Sequence, residues 1–286
     1  MTDAEPSSSV ASAGALVLVA TPIGNLGDLS PRAVEELGQA DAIACEDTRR
    51  TGRLLAHFGV DKPKLIVVND HTEAMAVADV MARLGHGERV AVVTDAGMPG
   101  ISDPGEQLVA AAAAGGHRVE VVPGPSAAVN GLVASGLPTG RFVFEGFLPR
   151  KGSGRSERLA ELAGERRTIV LYEAPHRLVR TLSDLAAALG GGRRVALARE
   201  LTKLHEELWR GSLAEAVERC AEVEPRGEYV LVLDGAPEPV AATDDDLAAA
   251  VAAEVASGRS TKDAVTVVAG RYGASRRRVY DLANRR

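Results

Sequence analysis

Short apolar runs alternate with amphipathic stretches through the first half of the chain. Leu16–Ala20, Ala42–Cys45, Leu65–Val68, Val90–Val93 and Val119–Val122 are bounded by turn residues and read as buried strands. Helical patterning lies between them over Pro31–Ala40, from Arg49 to about Phe58, over Glu73–Leu84 and over Gln107–Ala114. Ser30-Pro31 has the form of an N-cap followed by proline at the first helical position. This βαβα order predicts a mostly parallel, doubly wound sheet. Another helix, Ala127–Ala134, leads to the turn Ser135-Gly136-Leu137-Pro138-Thr139-Gly140.

Beyond that turn, strands are expected at Phe142–Glu145, Thr168–Tyr172, Arg194–Ala198 and Tyr229–Leu233. Helices are expected at Ser156–Leu162, Arg177–Leu189 and Leu213–Ala221. From Asp244 the pattern is wholly helical, with a Gly273-Ala274 turn before a segment opening on Arg276. The expected organisation is a disordered tail over 1–14, an α/β domain over 15–138, a second α/β domain over 139–236 and a helical domain over 241–286. No internal repeat of fixed period is visible.

Composition narrows the function classes. The net charge of −6 argues against a protein that coats nucleic acid non-specifically. Cys45 and Cys220, the two cysteines, have no metal-ligand spacing, so a disulfide framework is not expected and a reducing cytoplasm fits. The acidic, Ser-rich N-terminus has no basic n-region, and no apolar run approaches the roughly 18 residues of a membrane span.

Candidate chemistry gathers at strand ends, where open α/β sheets bind ligands. Val92–Gly105, VVTDAGMPGISDPG, places Asp95 at a strand end before a loop rich in Gly and Pro. Pro123-Gly124-Pro125-Ser126-Ala127 follows the next strand, and Thr21–Asp28, TPIGNLGD, follows the first. Neither GxGxxG nor GxxxxGK[ST] occurs. Glu46-Asp47-Thr48-Arg49-Arg50 sets an acidic pair beside two arginines, suited to a ribose or a phosphate, or to a salt-bridged helix start. Cys45 reads as a core residue, and Asp103 as the cap of the next helix. In the second half, Arg150, Lys151, Arg177 and Lys203 are candidates for a phosphate-binding rim, with His176 either a base or structural. The tail presents Arg276, Arg277 and Arg278 after a glycine turn, a helix-turn-helix arrangement suited to nucleic acid.

Taken in order, VATPIGNLGDLSPRA, ACEDTR, VVTDAGMPGISDPG, PGPSA, FEGFLPRKG, YEAPHR and RELTKLHEE resemble the ribosomal RNA small subunit methyltransferase I branch of the tetrapyrrole-methylase-like methyltransferases. The resemblance runs from about Leu16 to Leu233, and the helical tail resembles that branch's small C-terminal domain. Met98 and Thr94 stand where the SDAGTP form of the signature has threonine and serine.

The resemblance implies two α/β domains of the tetrapyrrole methylase type with the cofactor in the interdomain cleft, plus a small helix-turn-helix-like C-terminal domain. It implies transfer of a methyl group from S-adenosylmethionine to the ribose 2′-hydroxyl of a decoding-region cytidine in 16S rRNA, by a cytoplasmic homodimer. Carried onto this chain, the cofactor residues are Thr21, Pro22, Gly24, Asp95, Gly100, Ile101, Ser102, Ser126, Ala127, Tyr172 and Leu201. Glu46, Asp47 and Arg49 are the catalytic candidates, with Glu173 and His176 as other possible bases. RNA contacts are expected from Arg150, Lys151, His176, Arg177, Lys203, Arg276, Arg277 and Arg278. The chemistry calls for no metal. Two other readings remain at this stage. One is a tetrapyrrole methyltransferase, which favours a GxGPGD-type first loop that this chain lacks. The other is a helix-turn-helix regulator with a ligand-sensing α/β body.

Overall fold

The computed structural model describes residues 14–61, 63–69, 72–238 and 242–284. The tail expected over 1–14 lies outside them except for Gly14, as do Arg285 and Arg286. The chain divides into two compact units, one ending at Ala236 and one beginning at Pro237.

The first unit opens with five strands, β1 (Ala15–Val19), β2 (Ala42–Cys45), β3 (Lys64–Val67), β4 (Arg89–Val93) and β5 (Arg118–Val122). They alternate with α1 (Pro31–Gln39), α2 (Thr48–His57), α3 (Glu73–Gly85), α4 (Glu106–Ala114) and α5 (Ala127–Ser135). The strands form one parallel sheet in the order β3-β2-β4-β1-β5. Every residue of β1 and β2 is buried, as central strands covered on both faces require. Alternation assigns the faces. Val17, Val19, Ile43 and Val93 pack with Ala33 and Leu37 of α1 and Leu55 of α2. Leu16, Ala44, Val90 and Val92 pack with Val80 and Leu84 of α3 and Leu108 of α4. The predicted doubly wound sheet is this one. Ser30 caps α1 as expected, accepting the Ala33 N–H at 3.1 Å.

The unit continues with β6 (Phe142–Phe147), α6 (Ser153–Ala163), β7 (Thr168–Glu173), α7 (Pro175–Leu189), β8 (Arg194–Arg199), β9 (Glu207–Ser212), α8 (Leu213–Glu222) and β10 (Tyr229–Leu233). This second sheet has the order β6-β7-β10-β8-β9 and is mixed, since only β6 and β7 run parallel. The edge strand β9 was not expected, because Arg199–Glu207 reads as one charged loop. Its neighbours Leu208 and Trp209 are both apolar and serve cores on opposite faces, which hides the period-2 pattern. One face of the sheet carries Leu178, Leu182 and Leu185 of α7. Helix α5 covers the other face, placing Ala128 and Leu132 against Val170, Ala196 and Val230. The approach is close: a Cβ at Gly131 would come within 2.7 Å of the Val230 side chain.

The second unit holds α9 (Asp244–Ala256), α10 (Thr261–Tyr272) and α11 (Arg276–Ala283) around Leu247, Val251, Val268, Val279 and Leu282. Gly273, at φ 62°, ends α10 in the left-handed conformation, so the expected glycine turn joins the last two helices. Among the described residues no helix is long and apolar enough to cross a membrane.

Candidate functional site

Parallel pairing brings the ends of β1, β2, β4 and β5 to one edge of the first sheet. In the second sheet Tyr229 pairs with both Glu173 and Arg199. The start of antiparallel β10 therefore lies beside the ends of β7 and β8. These two edges enclose a cavity of about 550 Å³ within the first unit, a size typical of small-molecule sites.

The loops around it are tied to each other. Thr21 pairs its backbone with Gly97 through two hydrogen bonds of 2.9 and 3.1 Å, and its hydroxyl donates to the Thr94 carbonyl at 3.0 Å. The loop after β1 reaches the second sheet where the Asn25 N–H donates to Thr202 Oγ1 at 3.2 Å. Gly24 lies so near Lys203 that a Cβ would meet its side chain at 2.3 Å. From the other side, the Tyr172 hydroxyl accepts the Ala128 N–H at 3.1 Å, and its ring makes edge contacts with Phe144 and Phe147.

The cap expected from Asp103 is absent. Helix α4 begins after Gly105 with no local side-chain cap. Instead the buried Glu73 of α3 accepts the N–H groups of Gly105, Gln107 and Leu108 at 2.9, 3.0 and 3.4 Å. A carboxylate at a helix N-terminus is well placed, and it sits too far away in sequence to be read as a cap. The same loop carries strain. Ser102, Glu200 and Thr202 have φ of 61°, 51° and 66°, and they are the non-glycine residues at positive φ among those described. Ser102 and Glu200 line the cavity.

The lining is acidic. Glu46, Asp95, Asp103, Glu173, Glu200 and Glu228 contribute carboxylates, against Arg50 and Lys203 as the strong bases. Lys203 is neutralised by Glu200 at 2.9 Å and Glu228 at 2.6 Å. Burial opposes its ammonium, but those two carboxylates outweigh it and raise its pKa. Asp95 is one-fifth exposed; its Oδ2 lies 3.2 Å from the exposed Arg50, while Oδ1 is buried without a hydrogen-bond partner. Burial pushes the Asp95 carboxyl pKa up; the Arg50 charge works against this, the Asp47 charge adds to it, and a hydrogen bond from the Asp47 backbone offsets part of the rise. A cavity lined mainly by carboxylates fits a cationic or donor-bearing ligand.

The structure thus brings Glu46, Asp95, Ile101, Ser102, Ser126, Ala127, Tyr172, His176, Leu201 and Lys203 to one cavity. Thr21 and Pro22 line an adjoining one, and Gly100, at φ 81°, shapes the loop between. Asp47 and Arg49 do not line the main cavity. Asp47 caps α2 through the Arg49 N–H at 2.8 Å and pairs with the Arg49 guanidinium, which with the backbone bonds lowers its pKa to about 2. Arg177 is engaged by Glu173 at 3.2 Å and the Leu148 carbonyl at 2.5 Å. Arg150 and Lys151 are exposed in the segment before α6. In the second unit Arg276 donates to Thr266, Arg278 pairs with Asp244 at 2.7 Å, and Arg277 is exposed. Cys45 is buried and its thiol pKa is raised by burial, as a core residue requires. Of the two arginines in the CEDTRR block, it is Arg50, not the catalytic candidate Arg49, that lines the main cavity. Glu228 carries no sequence signal, because it stands before the start of an antiparallel strand and not after the end of a parallel one.

Residues 15–217 match the family described as Tetrapyrrole (Corrin/Porphyrin) Methylases. A Synechocystis protein named Ribosomal RNA small subunit methyltransferase I is 47% identical over 272 residues, covering 94% of this chain and 97% of that protein. One from Xylella fastidiosa with the same name is 50% identical over 231 residues, covering 80% and 84%. The crystal structure of Uroporphyrin-III C-methyl transferase from Thermus thermophilus complexed with S-adenosyl homocysteine superposes with a TM-score of 0.53. It is 20% identical and covers 77% of this chain and 96% of that one, a likeness of fold.

Proposed function

This chain belongs to the tetrapyrrole methylase family, within its ribosomal RNA small subunit methyltransferase I group, and from that premise we propose that it methylates the ribose 2′-hydroxyl of a decoding-region cytidine in 16S rRNA. The observation that carries the reading is the acidic cavity between the two sheets, with the Asp95 carboxylate on its wall. The cofactor is S-adenosylmethionine, which supplies an electrophilic methyl group on a cationic sulfonium. Asp95, the backbone around Ile101 and Ser102, and the Ser126-Ala127 turn would hold it. Tyr172 and Leu201 close the second-sheet side, and apolar Ile23, Met98 and Phe147 keep water from the reacting region.

A hydroxyl nucleophile must be aligned and must lose its proton. Of the carboxylates considered as bases, Asp47 caps a helix off the main cavity and the Glu173 side chain is fully buried. Glu46, at the end of β2 and on the cavity wall, takes the proton in this reading. The substrate is the assembled small subunit, because a chain of net charge −6 lacks the charge to hold loose RNA. The enzyme works as a cytoplasmic homodimer, with Arg276, Arg277 and Arg278 of the C-terminal unit touching RNA.

Asp95→Asn is expected to weaken cofactor binding by about 10- to 100-fold, the loss of a charge-assisted contact. Thermal stability of the ligand-free protein should hold or rise. The variant removes a partly desolvated carboxylate and its ion pair with the exposed Arg50, while the amide oxygen of Asn can still accept the Asp47 N–H. Calorimetric titration and melting curves read the two effects separately; a fall in both would place Asp95 in the scaffold alone. For the substrate class, labelled S-adenosylmethionine is offered with unmethylated small subunits or with uroporphyrinogen. Label in 16S rRNA supports the reading, whereas label in the tetrapyrrole alone overturns it.

A further inference from the structure

A second cavity of about 650 Å³ adjoins the first, sharing Arg50 and Asp95 with it. Its wall is one face of α2. Arg50, Arg53 and His57 fall at i, i+3 and i+7 and line the cavity along one stripe, with the buried Thr51 beside them, while Leu55 faces the core. Apolar Leu26 and Leu54 lie beside that stripe. The charges here differ from those of the main cavity. Asp95, on the shared border, is the lone carboxylate in the lining, against two arginines and a histidine.

Arg53 is the informative residue. Many arginines of this unit, such as Arg89, Arg155 and Arg194, hold carboxylates within 3.3 Å. Arg53 is exposed, has no carboxylate partner among the described residues, and makes one long backbone contact, Nε to the Arg49 carbonyl at 3.4 Å. A guanidinium left open in this way presents a planar fork suited to a phosphate diester.

We propose that this cavity seats the sugar-phosphate backbone next to the target nucleotide, with Arg53 and His57 on a phosphate and Leu26 and Leu54 against the face of a sugar or base. The inference rests on the RNA substrate proposed above. It makes Arg53 a positioning residue: it draws the strand across Arg50 so that the ribose hydroxyl enters the main cavity beside Glu46. A phosphate contact of this kind carries affinity and register and leaves the chemical step untouched.

The test uses the full-length protein and unmethylated small subunits. Arg53→Ala should raise KM for subunits about tenfold, with kcat and cofactor affinity unchanged, and flatten the log–log salt dependence by about one unit. Arg53→Glu should be worse, and Arg53→Lys should recover most of the loss. Arg226→Ala, the same charge change at an exposed site distant in sequence, should leave KM as in the wild type. An unchanged KM and salt slope in Arg53→Ala, or an equal loss in Arg226→Ala, would overturn the inference. If the wild type transfers no methyl group, the parent reading fails. Filter binding of subunits then decides this one: a Kd about tenfold weaker in Arg53→Ala supports it, and an equal Kd rejects it.

Discussion

Glu46→Gln lowers kcat by about 10²- to 10⁴-fold, the usual range for loss of a general base, and leaves cofactor affinity where it was. The expectation comes from geometry and from elimination. Glu46 ends β2 on the wall of the main cavity, next to the Arg50–Asp95 pair that borders both cavities. Asp47, its neighbour, has a pKa of about 2 because of the Arg49 side-chain and backbone hydrogen bonds, and so is a poor proton acceptor near neutrality. A carboxylate base acts only when deprotonated. The glutamine variant, which cannot take up a proton at that position, should therefore stay slow at every pH. Single-turnover methyl transfer across pH reads this. Full activity in Glu46→Gln together with a large loss in His176→Ala would move the role to the histidine, which also lines the cavity.

Glu173→Ala is expected to cost about 3–5 kcal/mol of stability, the range for breaking a buried charged pair from one side. The Glu173 side chain is fully buried. It accepts the Ala174 N–H at 2.9 Å, the Thr181 hydroxyl at 2.6 Å and lies 3.2 Å from Arg177 Nε. Thr181 in turn accepts from the buried Arg155, which also holds Asp184 and the Pro149 carbonyl. Removing the carboxylate leaves Arg177 with the Leu148 carbonyl but without its counter-charge, and takes the acceptor from the Thr181 hydroxyl. Glu173→Gln, which keeps the shape, should lose less. Urea unfolding gives the comparison. An unchanged midpoint with abolished methyl transfer would instead make Glu173 a participant in the chemistry.

The first sheet was legible because its strands are buried on both faces and appear as unbroken apolar runs between turn residues. The strand-end loops were legible for a related reason: Asp95, Ser126 and Tyr172 each follow or end such a run. Long-range polar contacts were not. Glu73 reaches α4 from another helix, and nothing near Asp103 signals that the cap comes from elsewhere. Antiparallel β10 brings Glu228 to the site by its start, whereas in a parallel sheet only strand ends reach the ligand edge. Helix α5 follows the first sheet in sequence yet packs on the second, a choice made by the shape of Ala128, Gly131 and Leu132 against Val230.

The most direct measurement is nucleotide-level mapping of the methyl group placed by the pure protein on small subunits that lack it. The account predicts one alkali-resistant 2′-O-methylated cytidine in the decoding region, formed at the expense of S-adenosylmethionine and lost in Glu46→Gln. Methylation on a base, at many riboses, or on free RNA in preference to the subunit would contradict it.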